Sequence, residues 1–187
     1  MKWTERKIAA SLARQVFERK HLVLVPNCTW TGDECDLLVV TRDLRIIDVE
    51  VKISRADFKA DAKKDKWFQN WDWRLDGPFR SYEERDERRR PLMWPRKVWK
   101  HYYAMPKEIW KPELAEFLPS STSGVILLTE DKHGSTRSGV IAQVQRRATP
   151  CRDADRISPS DAVDISRLAS LRMWDAFDKL DNMKEAA

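Results

Sequence analysis

Two short runs constrain this chain more than anything else in it: Gly32-Asp33-Glu34-Cys35-Asp36-Leu37-Leu38-Val39-Val40 and Ile46-Ile47-Asp48-Val49-Glu50-Val51-Lys52. Both are apolar and rich in β-branched residues, so each reads as a strand. Both carry acids that a buried strand does not tolerate without a partner or a task. The spacing predicts strands over 35–41 and 45–53 with a tight turn at Arg42-Asp43-Leu44. If Thr41 pairs with Arg45, then Val40 faces Ile46, Leu38 faces Asp48 and Asp36 faces Glu50. A slip of one residue would send the partner of Asp36 to the opposite face. Strand parity also sorts the second run. Ile47, Val49, Val51 and Ile53 share one face, and Asp48, Glu50, Lys52 and Ser54 share the other.

The remaining elements fit around this pair. Residues 4–20 predict a helix capped by Thr4, with Ile8, Ala9, Leu12, Ala13, Val16 and Phe17 as its apolar stripe. A strand is expected at 22–25 and a long second helix from the Ser54 cap to about Trp73. The segment 74–97 breaks the pattern. It opens with Asp76-Gly77-Pro78, is charged at every position from Glu83 to Arg90, and contains Pro91 and Pro95. Further strands are expected at 98–105, 124–129 and 140–144, a short helix at 113–118 and a C-terminal helix over 159–184. The order predicts one α/β domain over 1–187, a central mixed sheet flanked by helices, with an inserted arm at 74–97.

Composition removes several classes of function. No apolar stretch approaches the roughly 20 residues of a membrane span. The N-terminal residues lack the apolar core of a secretory signal. Cys28, Cys35 and Cys151 form neither a disulfide framework nor a zinc pattern. A cytoplasmic, reducing setting is the expectation. His21, His101 and His133 have no metal-ligand spacing, and the five glycines form no phosphate-cradling loop. The net charge of +5 is concentrated, because Arg55 to His101 holds 14 Lys/Arg against 9 Asp/Glu. Such a segment suits a polyanionic partner, although solvated faces carry similar runs.

The chemistry expected of the two strands follows from their acids. Among the places where Glu-x-Lys and Asp-x-Lys recur, Glu5/Lys7, Glu18/Lys20, Asp57/Lys59 and Asp61/Lys63 lie on predicted helices, where i and i+2 diverge by about 200°. Glu50/Lys52 falls instead on a strand, where i and i+2 project together. Opposed carboxylates at Asp36 and Glu50 repel unless a cation lies between them. Carboxylate oxygens plus the Val51 carbonyl suit Mg²⁺ or Mn²⁺, which polarises a phosphate and activates water. Lys52 beside them would hold the nucleophile and offset charge in the transition state. An ordinary solvated hairpin is the competing reading.

The helix that follows adds a resemblance. Lys52-x-Ser54-x-x-Asp57-Phe58-x-x-Asp61, then Asp65-Lys66-Trp67, resembles the signature of the PD-(D/E)XK nuclease superfamily. The resemblance is to the branch of MmcB-like DNA-repair proteins and related phage proteins. His101-Tyr102-Tyr103-Ala104-Met105-Pro106, and Leu118-Pro119 before Gly124-Val125-Ile126-Leu127, look similar to later parts of that branch. The likeness covers roughly 4–73 and 98–147. It implies a restriction-endonuclease-like αβββαβ core, divalent-metal dependence and a DNA substrate. On this chain the motif residues are Asp36, Glu50 and Lys52. Cys35 stands where the superfamily's name has proline.

Weaker candidates surround these three. Glu5 extends the buried face of the first helix and resembles a first-helix acid near the metal. Asp48 is expected behind the site, and Glu34 is as readily a loop acid as a ligand. Ser54, Arg55, Lys59, Lys63 and Lys66 are DNA-contact candidates, the basic ones along one edge of the second helix. Ala56, Ala60, Trp67 and Trp71 are expected on its packing side. Six of nine tryptophans lie between Trp67 and Trp110. Trp67, Trp71, Trp99 and Tyr103 are expected in the core. Phe79, Tyr82 and Trp94 suit unpaired bases or a protein partner equally. The leading expectation is a metal-dependent deoxyribonuclease. The alternatives are a non-cleaving nucleic-acid-binding module on the same fold, and a phage protein that grips a host protein through its arm.

Overall fold

The computed structural model describes residues 2–185. Helix α1 (Glu5–Gln15) begins where Thr4 Oγ1 accepts from the Lys7 amide, and it buries Ile8 and Leu12 completely. Each such burial stabilises by about 1.5–3 kcal/mol. It stops at Val16, short of the 4–20 span expected. The Phe17 carbonyl accepts from the Lys20 and His21 amides, winding 16–20 into a turn that tucks Phe17 into the core.

Six strands follow in one sheet: β1 (His21–Cys28), β2 (Cys35–Thr41), β3 (Ile46–Val51), β4 (Lys100–Pro106), β5 (Gly124–Glu130) and β6 (Val140–Arg146). Their spatial order is their chain order. The first three are antiparallel neighbours, β3–β4 and β4–β5 are parallel, and β6 returns antiparallel on β5. This is an α/β fold, a six-stranded mixed sheet with flanking helices, consistent with a restriction-endonuclease-like core. A further helix, α4 (Pro159–Glu185), closes the chain and packs on β1.

The hairpin register is the one the parity argument requires. Leu37 pairs with Val49, Leu38 with Asp48, Val39 with Ile47 and Val40 with Ile46, and the Thr41 amide donates to the Arg45 carbonyl at 2.9 Å. Leu44 closes the three-residue loop in the left-handed region, φ 60°.

The sheet packs on both faces. On one, α1 meets Leu37, Val39, Ile47, Val49 and Val51 with Ala104, Ile126 and Leu128. The other face carries two separate clusters. Val25, Leu38, Val40 and Ile46 pack with Ile157, Ala162 and Ile165 at one end. Phe58, Trp67, Tyr103, Met105, Val125 and Leu127 form the second. Asp48, Glu50 and Lys52 belong to neither apolar cluster, yet each is at most 2% exposed. Ile53 lies beyond the strand and is exposed, so the apolar parity holds only to Val51.

The long second helix does not form. Helix α2 spans only Arg55–Ala60, and two single 3-10 turns follow at Asp61–Lys63 and Asp65–Trp67. The break is at Lys64, whose backbone is extended with ψ 145°. A continuous helix would aim residues 64 and 66 about 200° apart. The broken one lets both lysines reach the same carboxylate. Phe58, not Ala56 or Ala60, is the side chain α2 buries. The expected helix at 113–118 is a 3-10 segment, Pro112–Phe117.

The segment expected as an arm at 74–97 is closed off at 69 and 90. Its base closes where the Gln69 amide donates to Arg90 and the Leu92 amide donates to Trp67. Between these lies helix α3 (Tyr82–Arg88), capped by Ser81. Trp71, Trp73, Phe79 and Tyr82 gather beside it, with Trp73 stacked on Phe79 at 4.9 Å. Trp94 lies outside that group, and its indole donates to the Thr149 carbonyl.

Candidate functional site

The β2–β3 ladder ends at Leu37/Val49, so neither the expected pair Asp36/Glu50 nor Cys35/Val51 is made. The Val51 amide donates instead to Asp36 Oδ2 at 2.7 Å. An antiparallel residue points its N–H and C=O to the same side. The Val51 carbonyl therefore faces the space in which Asp36 sits. That space opens into a cleft of about 570 Å³ between α1, the ends of β1 and β2, and α4. Glu5, Asp36 and Val51 all line it. Glu5 is exposed there, and Glu34 is exposed on the loop before β2.

Glu50 lies beneath, fully buried, with three ammonium groups on its carboxylate. Lys66 Nζ donates to Oε1 at 2.6 Å, and Lys52 and Lys64 both donate to Oε2 at 2.8 Å. Lys66 also reaches Asp48 Oδ2 at 3.0 Å. Lys52 and Lys64 also reach Asp61 Oδ1, at 2.7 and 2.8 Å. Asp61 Oδ2 accepts from the Tyr103 hydroxyl at 2.5 Å and from the Trp67 indole at 3.3 Å. His101 lies behind Asp48, with Nε2 at 3.7 Å from Oδ2 and Nδ1 at 3.1 Å from Ser123 Oγ.

Electrostatics separates the acids. Burial drives Asp36 up to about 6, and the neighbouring Glu50 charge pushes the same way. Burial would also raise Glu50 and Asp61, but the lysines outweigh it and hold both below the usual carboxylate range. Asp48 remains raised, chiefly by burial. Burial would lower Lys52, yet Glu50 and Asp61 hold it above the ordinary lysine range. Lys52 is therefore a permanent cation, able to donate hydrogen bonds but unable to act as a base near neutral pH.

Four carboxylates (Asp36, Asp48, Glu50, Asp61) thus face three ammonium groups, with Asp57 a further acid at 3.9 Å from Lys52, so negative charge is in excess. Among the described residues no three His, Cys, Asp or Glu side chains converge as a ready ligand set. The donors for a hard cation are two carboxylates and a main-chain carbonyl, and that chemistry fits Mg²⁺ or Mn²⁺. The surplus charge fits as well, whereas the occupancy of Glu50 Oε2 by lysines opposes entry.

The DNA-contact candidates do not form one strip. Ser54 Oγ caps α2 by accepting from the Asp57 amide at 3.1 Å. Arg55 donates to the carbonyls of Ile109 and Glu108 and so anchors a loop. Lys59 lies over the Phe117 ring at 4.1 Å, and Lys63 is exposed. Lys66 corrects the expectation outright, because at 2% exposure beneath Asp48 and Glu50 it faces no groove. Of the expected core aromatics, Trp67 and Tyr103 are buried, while Trp71 and Trp99 are half-buried.

The sequence reading passed over Lys64 and gave Asp61 only as part of a motif. A signal existed in Lys63-Lys64-Asp65-Lys66, because lysines two apart can serve one acid only where the helix is broken.

The fold class is therefore α/β, with its charged centre on the third strand. The SPO1766 protein of unknown function from Silicibacter pomeroyi is similar to this chain across 98% of its length. The match covers 94% of that protein at a TM-score of 0.53 and 19% identity, a likeness of fold. No family model and no curated protein matches the chain. Among the described residues no helix is long and apolar enough to cross a membrane.

Proposed function

We propose that this protein hydrolyses phosphodiester bonds in DNA with Mg²⁺ or Mn²⁺, as a nuclease of the PD-(D/E)XK type. One observation carries the reading. Asp36 lines an open cleft where β2 and β3 part, near enough to the buried Glu50 to feel its charge, and Lys52 is hydrogen-bonded to Glu50. Asp36, Glu50 and the Val51 carbonyl would hold the ion, with Glu5 facing the same cleft. A bound ion would polarise the scissile phosphate and lower the pKa of a water to make the nucleophile.

The chain's own residues do the rest. Lys52, fixed between Glu50 and Asp61, keeps its proton and donates it as a hydrogen bond toward the attacking water or the charge growing on phosphate. Tyr103 and Trp67 orient Asp61, and Asp61 orients Lys52. The basic segment that follows supplies phosphate affinity that falls with salt.

A second reading is favoured by the three ammonium groups on Glu50: a nucleic-acid-binding module on this fold that does not cut. The two part in one experiment, incubation of single-stranded, duplex and branched DNA with and without Mn²⁺ or Mg²⁺. A nuclease cuts, stops with chelator, and loses on the order of a hundredfold or more in rate in Asp36→Ala, Glu50→Ala and Lys52→Ala. A binding module retains DNA in salt-sensitive complexes and cuts nothing. Cleavage at wild-type rate by all three variants would remove the site assignment.

A further inference from the structure

We infer that the Lys64 ammonium is a resident counter-ion which holds the divalent cation's place on Glu50 and leaves when the cation binds. The inference rests on the metal reading above and names the residue that regulates that site.

The three lysines on Glu50 differ in how freely they can leave. The side chains of Lys52 and Lys66 are 3% and 2% exposed, whereas that of Lys64 is 46% exposed. Withdrawing Lys66 would strip Asp48 of its ammonium partner, and withdrawing Lys52 would strip Asp61 of its most buried one. Withdrawing Lys64 orphans no acid, since Glu50 Oε2 retains Lys52 at 2.8 Å and Oε1 retains Lys66. Asp61 Oδ1 retains Lys52 at 2.7 Å, and Oδ2 retains Tyr103 and Trp67. The backbone permits the movement, because Lys64 is an extended residue between two single 3-10 turns without side-chain caps.

Charge points the same way, because a divalent ion beside Glu50 and Asp36 repels the ammonium groups around it, and Lys64 is the one of the three with solvent to move into. Lys64 then sits at the rim of the site with its ammonium free.

Calorimetric titration with Mn²⁺ tests this on the wild type, Lys64→Met, Lys63→Met and Glu50→Gln. Lys63 is an exposed neighbour of equal charge. Lys64→Met should bind Mn²⁺ on the order of tenfold tighter than wild type, Lys63→Met within about twofold of it, and Glu50→Gln not measurably. Equal or weaker binding by Lys64→Met, with binding lost in Glu50→Gln, overturns the role of Lys64 and leaves the metal site standing. No binding in any variant overturns both.

A second measurement uses the unaltered protein and guards against a misfolded variant. Acetylation of Lys64 by an amine-reactive ester, followed by mass spectrometry, should accelerate when Mn²⁺ is added. Labelling unchanged or slowed by Mn²⁺ overturns the inference.

Discussion

The Val51 amide donates to Asp36 Oδ2 at 2.7 Å where the sheet's next backbone acceptor would have been. One carboxylate oxygen thus stands in for a strand, in a residue that lines the cleft. Asp36→Asn retains a carbonyl oxygen for the amide but lacks the charge. Its metal-free stability should lie within about 1 kcal/mol of wild type. Wild type in Mn²⁺ at a hundredfold excess over Kd should gain about 2.7 kcal/mol, and Asp36→Asn should gain none. Thermal unfolding of both proteins with Mn²⁺ and with chelator gives the answer. An equal gain in the variant would mean that Mn²⁺ binds elsewhere.

Asp61 is the acid on which the lysine network depends. It is fully buried and holds Lys52, Lys64, Tyr103 and Trp67 together. Asp61→Asn leaves buried ammonium charge short of a partner and should destabilise by about 3–5 kcal/mol. Tyr103→Phe removes one donor and should cost about 1–3 kcal/mol. Urea unfolding ranks them. If Asp61→Asn proved no worse than Tyr103→Phe, the network would not hold this part of the fold.

The strands and the hairpin register from Leu37/Val49 to Val40/Ile46 were legible in sequence, because a period of two and a three-residue turn admit few registers. The parting of the strands before Asp36 and Glu50 was not. Nor was the region after Ser54. Its propensity and capping residues favour a long helix, and they do begin one. The break at Lys64 comes from tertiary electrostatics, since ion pairs to Glu50 and Asp61 draw the lysines at 64 and 66 to a common centre. Helix propensity and capping carry no trace of that pull, and only the spacing of Lys64 and Lys66 hints at it. Lys66 shows the same limit. A lysine reads as exposed wherever it occurs, and only the position of Asp48 and Glu50 beneath it makes burial affordable.

His101 gives the fold a pH dependence whose sign can be worked out. Burial holds it well below the usual histidine range, and the Lys66 charge adds to that, with Lys52 and Lys64 nearby and Asp61 opposing. The folded protein keeps His101 neutral, while the unfolded chain protonates near pH 6.5. Stability from this group is therefore full above about pH 6.5 and is lost as pH falls below it. Asp36 and Asp48, both raised, act in the opposite direction, so wild type must be compared with His101→Gln, in which they remain. Between pH 8 and pH 5 wild type should lose about 2 kcal/mol more than the variant. Denaturant titrations at both pH values in chelator measure the difference. Parallel losses would mean that His101 takes up its proton in the folded state.

Gly124 lies where β5 starts against β4, paired with Tyr102. A Cβ there would run into the Tyr102 ring and come within 2.7 Å of the Ala148 amide nitrogen. Tyr102 also packs against the Phe17 ring, edge-on at 6.5 Å, so its ring is not free to move without disturbing the core. Gly124→Ala should therefore destabilise by about 1–3 kcal/mol, against the usual gain from replacing a strand glycine. Pairing it with Tyr102→Leu should recover part of the loss by opening that space, a coupling that contacting residues show and distant ones do not. A double-mutant cycle by urea unfolding decides the point, and strict additivity would place the cost of the methyl group somewhere other than the Tyr102 ring.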